Sequence, residues 1–407
     1  MNKFLRTASM PRLLATLLGI VAAVAGGTAI ALAATSGGKL PRHEPLAKAI
    51  RGALGAKPVQ GITANINFTN KLIDTSEIQG SDPLITGGQG MLWASNDGRI
   101  RIELYGDGGD PEIVVHHGSW WVYDPTLGNV YEGKLPAASG ARHSLGAGAL
   151  PTVAQIQSEL GKLAAHLGIS GAIPSNVGGQ PAYTVRVSPR QGGGLLGRLQ
   201  LAWDAVRGVP LDFALYARGT SSPALELAVT GVSYGKVPDD TFNIRIPNAR
   251  VVKVASPASS SAAAEPKATG KHATKHADVT GVKQVASHLS FTLVAPSSLG
   301  GMPRQSVSLL DTGSRHGALV IFGQGLGGIV VIEQPATPQS SQAINLSTGS
   351  GDGAHGIMLP TVKVGAATGQ ELDTALGTII RFTVGNVTYT VMGSVRPSVA
   401  RAAARAL

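Results

Sequence analysis

Gly323-Gln324-Gly325-Leu326-Gly327-Gly328 fits G-x-G-x-x-G, the spacing that lets a backbone approach a pyrophosphate. That chemistry needs a helix N-terminus after the glycines. Here Ile329-Val330-Val331-Ile332 follows, then Pro335, which reads as a strand, so a glycine-rich hairpin loop is expected. His116-His117 falls at an expected turn, with no acidic or cysteine partner nearby in sequence. His272 and His276 are spaced i, i+4 inside a low-complexity stretch, and a metal would need a third ligand and a scaffold. No G-x-S-x-G run sits on an expected strand-to-helix turn. Glu103, Asp107, Asp110 and Glu112 belong to an exposed strand face or a Gly-rich loop and read as solvated surface. No catalytic constellation, metal site or cofactor motif emerges, and the expectation is a noncatalytic protein without cofactors.

The remaining candidates are apolar strand faces. Arg99-Ile100-Arg101-Ile102-Glu103-Leu104 alternates strictly, charges on one side and aliphatics on the other, the period of a half-buried antiparallel strand. Asn96-Asp97-Gly98 before it is a tight-turn sequence, so 88–95 and 99–105 are expected to form a hairpin. Strands at 112–116, 119–124 and 129–133 extend this meander across 87–136. Ile62, Ala64, Ile66 and Phe68 mark the strand before it. Leu199, Leu201 and Trp203, then Leu211, Phe213 and Leu215, then Leu225, Leu227 and Val229 mark three later ones. With one apolar face per strand, the sheet must curl around something or pack on helices. Helices are expected at 45–54, from Leu46, Ala49, Ile50 and Leu54, and at 151–167, where Ile156, Leu160, Leu163 and Leu167 make a candidate lid.

Gly88-Gln89-Gly90-Met91-Leu92-Trp93, then Ile113-Val114, then Gly118-Ser119-Trp120-Trp121-Val122-Tyr123-Asp124-Pro125 resemble the lipoprotein carrier LolA family. Gly235, Val237, Phe242, Pro247 and Val251 resemble that family's closing segment, so the resemblance covers roughly residues 45–254. It implies an incomplete antiparallel barrel whose open side is covered by helices, around an apolar cavity for acyl chains. It also implies an arginine latch three residues after the tryptophan. Asn96 stands at that position, and Arg99 and Arg101 are out of register with it. The RseB family, which joins a LolA-like domain to a smaller β-rich domain and controls an anti-sigma factor, has a similar domain order.

With 407 residues, 54 glycines, 24 prolines and 4% aromatics, the chain suits two turn-rich β domains better than helical bundles. There is no cysteine, which excludes disulfides, thiolate metal sites, cysteine nucleophiles and N-terminal lipidation. The charge of +10 is scattered without aromatic interleaving, which disfavours nucleic acid and fits weak attraction to an anionic membrane surface. Lys3, Arg6 and Arg12 precede an apolar run over 13–34, so 1–36 is expected to be an export signal or a retained N-terminal membrane anchor. The body is thus placed in the extracytoplasmic envelope. The expected order continues with a half-barrel domain at 37–254, a flexible linker at 255–278, a β-rich domain at 279–395 and an Ala/Arg-rich tail at 396–407.

The fold class expected is α+β, mainly antiparallel β: a half-open barrel covered by short helices, plus a second, smaller β-rich domain. Phe68, Trp93, Ile100, Ile102, Leu104, Ile113, Val115, Trp120, Val122, Leu199, Leu201, Trp203, Leu211, Phe213 and Leu215 are expected to wall a lipid cavity. Arg99, Arg101 and Glu103 are expected to face water. The functional expectation is a carrier of lipid or lipoprotein acyl chains. The alternative is a regulatory module that binds an anti-sigma factor or another envelope protein.

Overall fold

A computed structural model of the chain describes residues 40–73, 82–116, 118–126, 128–135, 151–253, 279–311, 316–337 and 359–407. The N-terminal segment, the whole of the expected linker 255–278, His117, His272 and His276 lie outside these residues. Among the described residues no helix is long and apolar enough to cross a membrane. The chain divides into two compact units, the first built within 1–255 and the second mainly from 256 onward.

The first unit opens with α1 (Leu46–Leu54) and β1 (Gly61–Asn70). The short α2 (Pro83–Thr86) follows, capped by the Asp82 carboxylate, which accepts from the Leu84 amide at 2.9 Å. Then comes the meander: β2 (Gly87–Ser95), β3 (Ile100–Leu104), β4 (Glu112–His116), β5 (Ser119–Asp124) and β6 (Asn129–Lys134). Helix α3 (Val153–Ala164) starts at a capping box in which Thr152 and Gln155 satisfy each other's backbone amides. The chain returns to strands as β7 (Leu167–Ile169), β8 (Ile173–Val177), β9 (Gln180–Pro189), β10 (Leu196–Asp204), β11 (Pro210–Ala217) and β12 (Leu225–Tyr234). A 3-10 turn at Asp239–Phe242 leads to β13 (Arg250–Lys253).

These strands make one 13-stranded sheet in the order β13-β6-β5-β4-β3-β2-β1-β12-β11-β10-β9-β7, with β8 on β9. Strand β1 pairs with both β2 and β12, so it joins the meander to the later strands in a single curled half-barrel. Neighbouring strands of the meander run antiparallel, whereas β13 lies parallel to β6. The mainly antiparallel half-barrel expected from the sequence is the observed architecture.

In the second unit, α4 (Val282–Ala286) precedes β14 (Ser298–Leu299), β15 (Met302–Asp311), β16 (His316–Phe322) and β17 (Ile329–Pro335). Next come β18 (Thr361–Val364), β19 (Ala367–Thr374), β20 (Gly377–Val384), β21 (Val387–Gly393) and α5 (Pro397–Arg405). The eight strands form one sheet in the order β14-β15-β16-β17-β21-β20-β19-β18. Phe322, Ile329, Val331, Ile380 and Val391 sit at its centre. The Ala/Arg-rich stretch is not a separate tail. Ala400, Ala403 and Ala404 of α5 are buried in this core, and Arg401 grips Glu371 through two 2.7 Å bonds. Residues 290–294, which alternate like a strand, run as irregular chain, with the Val294 amide given to the Glu333 carboxylate instead of a sheet partner.

Candidate functional site

Register fixes which side chains share a face of the half-barrel, because directly paired residues point the same way. Ala64 pairs with Leu92 and Val232, Leu92 with Ile102, Ile102 with Ile113, and Ile113 with Val122. Ile100 pairs with Val115, and Val115 with Trp120. On the other flank Phe68 pairs with Leu227, and Leu227 with Phe213. Gln200 donates to Asp212, which puts both on the opposite face and so leaves Leu199, Leu201 and Trp203 with Leu211, Phe213 and Leu215. Fourteen of the fifteen residues expected to line the cavity therefore share one face, which is the inner face because α1 packs on it.

Trp93 is the exception. It pairs with Thr63 and Arg101 on the outer face, where the Arg101 guanidinium lies 4.7 Å from its ring centroid. The strand Gly90-Met91-Leu92-Trp93 carries bulky apolar residues on both sides, so its alternation alone does not say which side is inside. Packing decides it. A Cβ at Gly90 would lie within 2.0 Å of the Glu103 carbonyl oxygen, and the inner position beside Ile66 is open only to glycine.

The inner face is not uniform. Ala64, Ile66, Leu104, Leu211 and Val229 form a close-packed core, with Phe68 and Ile102 against it. Leu201 and Trp203 lie beneath α1, where Trp203 meets Tyr183, Val185 and Ala49. These six candidates are covered by protein. Ile100, Ile113, Val115, Trp120, Val122, Leu199, Phe213 and Leu215 are different: each is partly exposed and none belongs to a core cluster. The Trp120 ring lies flat on Gly133, where a Cβ would come within 2.7 Å of it, so this tryptophan is held as a broad wall. Helix α3 has no buried residue among the twelve it contains, and leaves Leu163 half exposed.

The outer face of the meander also departs from expectation. Arg99, Arg101 and Glu103 do not point to open water; their side chains are 12%, 17% and 22% exposed. The segment after β12 covers them. Phe242 is buried under the Arg99 guanidinium at 4.7 Å, and Arg99 also pairs with Asp97 and Asp239, each at 2.7 Å. The Arg99 hydrogen bonds hold the Asp97 carboxyl down to about 2. Arg101 bonds Glu103 at 2.6 Å and Glu112 at 3.3 Å. Burial pushes the Glu112 carboxyl up, and the Arg101 charge opposes that rise. Neither arginine is placed to stand in for the latch position at Asn96. Arg101→Met, which keeps the stem and removes the charge, should destabilise the first unit by about 2 kcal/mol near neutral pH. The loss should shrink as acid protonates Glu112. Urea denaturation at two pH values checks this, and a pH-independent loss would assign the effect to packing on Trp93.

The other motifs resolve locally. The glycine run at 323–328 is a loop between β16 and β17, with a 3-10 turn at Gly325–Gly327 and no helix after it. Gly231-Val232-Ser233-Tyr234-Gly235 matches G-x-S-x-G in spacing but lies at the end of β12, with the Ser233 hydroxyl donating to the Thr63 carbonyl. Among the described residues no three His, Asp or Glu side chains group as metal ligands would.

No family model matches the sequence, and no curated protein matches it. Among solved structures, the chain is similar to the MucA/MucB complex of Pseudomonas aeruginosa at 16% identity and a TM-score of 0.37, over 88% of this chain and 94% of that one. It is similar to a putative outer membrane lipoprotein-sorting protein domain from Vibrio parahaemolyticus at 11% identity and a TM-score of 0.19, over 49% and 96%. A third, an uncharacterized conserved protein from Thermus thermophilus, shares 10% identity at a TM-score of 0.31, over 48% and 91%.

Proposed function

We propose that this chain is an exported, noncatalytic carrier that holds acyl chains of lipid or lipoprotein against the inner face of its half-barrel. The observation that carries the reading is the partly exposed apolar set Ile100, Ile113, Val115, Trp120 and Val122 on a face that other elements leave out of the packed cores. A buried methylene is worth about 0.8 kcal/mol, so a 16-carbon chain leaving a bilayer needs on the order of 12 kcal/mol of apolar shelter. A curved sheet with tryptophan and aliphatic walls supplies shelter of that kind. The absence of buried anchors on α3 suits a cover that opens for loading and release. The basic-then-apolar start of the sequence supports export.

The test uses the purified chain with its N-terminal 36 residues removed, as export with signal cleavage would leave it. Native mass spectrometry is expected to find co-purified lipid, and a fluorescent fatty acid is expected to bind. Val115→Asp and Val122→Asp should abolish probe binding, because each puts a charge on the apolar wall, while Thr63→Asp on the outer face should not. A parent protein that carries no lipid and ignores the probe would end the carrier reading. The second reading, a regulatory module for an envelope protein partner, is favoured by one observation: the second unit has a complete core of its own, a body that acyl-chain binding by the half-barrel does not call for. Deleting that unit separates the two readings, since the carrier should keep its lipid and the regulator should lose its partner.

A further inference from the structure

A second concavity lies on the first unit, away from the acyl-facing surface. At the ends of β9, β10 and β11 a cleft of about 400 Å³ is lined by Arg190, Arg198 and Arg218 with Ser188, Tyr216 and Thr220, and among the described residues no acidic side chain lines it. Arg198 alternates with Leu199 along β10, so the cleft opens on the outer side of the sheet.

Arg198 is held in place before any ligand arrives. Its guanidinium carbon lies 3.7 Å from the centroid of the buried Tyr216 ring, and its Nε is shut off from water with no hydrogen-bond partner among the described residues. Arg190 is fixed by its own Nε, which donates to the carbonyls of Ala164 at 3.0 Å and Leu167 at 3.3 Å. Its terminal nitrogens carry no partner among the described residues. Arg218 is exposed at the rim. Asp212 shares this face but accepts from Gln200 and stays outside the cleft. Three like charges converging without a carboxylate repel one another until an anion neutralises them. Planar guanidinium forks match the oxygens of a phosphate group bidentately, and stacking on tyrosine sets the plane of one fork.

We propose that this cleft binds a phosphate ester, with Arg198 as the fixed fork and Arg190 and Arg218 completing the charge. The volume takes a phosphate with a glycerol- or sugar-sized substituent. The site is independent of the acyl-chain reading, because it lies on the other side of the sheet and cannot hold the headgroup of a chain lodged inside.

The experiment measures binding of glycerol 3-phosphate and inorganic phosphate by calorimetry, and of phosphatidylcholine vesicles with and without phosphatidylglycerol by sedimentation. Arg198→Gln combined with Arg218→Gln is compared with a charge-matched pair, Arg245→Gln with Arg250→Gln, whose arginines are exposed elsewhere. The site pair should lose at least about tenfold in affinity and the control pair should not. Arg198→Lys, which keeps charge and stem but not the fork, should lose several-fold and guards against a fold defect in the double variant. Loss of glycerol 3-phosphate binding identifies a soluble ester as ligand. Loss confined to phosphatidylglycerol vesicles identifies a lipid headgroup. Equal losses in the site and control pairs mean diffuse electrostatics, and these, or no binding of any probe by the parent, overturn the proposal.

Discussion

Leu104→Ala should cost the first unit about 3 kcal/mol, while Val115→Ala, on the same inner face in the neighbouring strand, should cost about 1 kcal/mol or less. Leu104 is 2% exposed and packs with Ala64, Ile66 and Leu211, so truncation opens a hole in a filled core. Val115 is partly exposed and belongs to no core cluster, so its methyls leave space that is already open. Sequence alternation alone puts both residues on the wall of one cavity, where truncation of either is cheap; the structure separates them. All four tryptophans, Trp93, Trp120, Trp121 and Trp203, lie in the first unit, so fluorescence during urea denaturation reports this unit. Equal losses at the two positions would mean an inner face packed throughout, and would remove the shelter that the carrier reading needs.

The second large effect belongs to Glu333. This carboxylate is 0% exposed at the centre of the second sheet. It accepts from the Val294 amide at 2.9 Å through Oε2, and its Oε1 has no partner among the described residues. Burial pushes its pKa up to about 7, against an ordinary 4.5, with the Val294 hydrogen bond opposing. Below the ordinary value both folded and unfolded chains hold the proton, and the group costs nothing. As pH rises from there towards 7 only the unfolded chain gives the proton up, so stability falls, and above 7 the full cost is present. That cost is on the order of 3 kcal/mol. Glu333→Gln keeps an acceptor for Val294 and should flatten this slope, leaving the second unit more stable by about 2–3 kcal/mol in mildly alkaline solution. Hydrogen exchange of the β17 and β21 amides, which pair Glu333 with Tyr389, reads the effect in the right unit. A variant with the parent's pH slope would show that Glu333 ionises freely in the folded state.

The meander was legible because Ile100, Ile102 and Leu104 alternate with charges, and a strand with one apolar face and one polar face announces its period. Strand β9 was not legible. Ala182, Tyr183, Thr184 and Val185 are buried in succession, so both faces are covered and no alternation survives in the sequence. Trp93 misleads for a related reason, since size is a poor guide to side when Met91, Leu92 and Trp93 are all apolar. What placed it outside was its pairing with Arg101 across the hairpin, a contact that only register reveals. The split of the inner face into filled core and open wall was equally beyond reach. It depends on where α1 lands, and no property of Trp203 itself separates it from Trp120.

The parallel pairing of β13 on β6 has a mechanical consequence. The chain leaves β12 near the middle of the sheet and finishes at its far edge, seven inter-strand steps away, or about 34 Å along the sheet at about 4.8 Å each. On the way Phe242 is pinned beneath Arg99 of the meander's hairpin. Sheet and crossing segment therefore form a closed hoop, tied at β12 and at β6. Because this strap runs over the outer, convex face, tighter curling of the meander lengthens its path and pulls on the Phe242 pin, whereas flattening slackens it. The tightest curl the half-barrel can reach is thus set by fifteen residues of tether, 235–249, as much as by the twist of the strands.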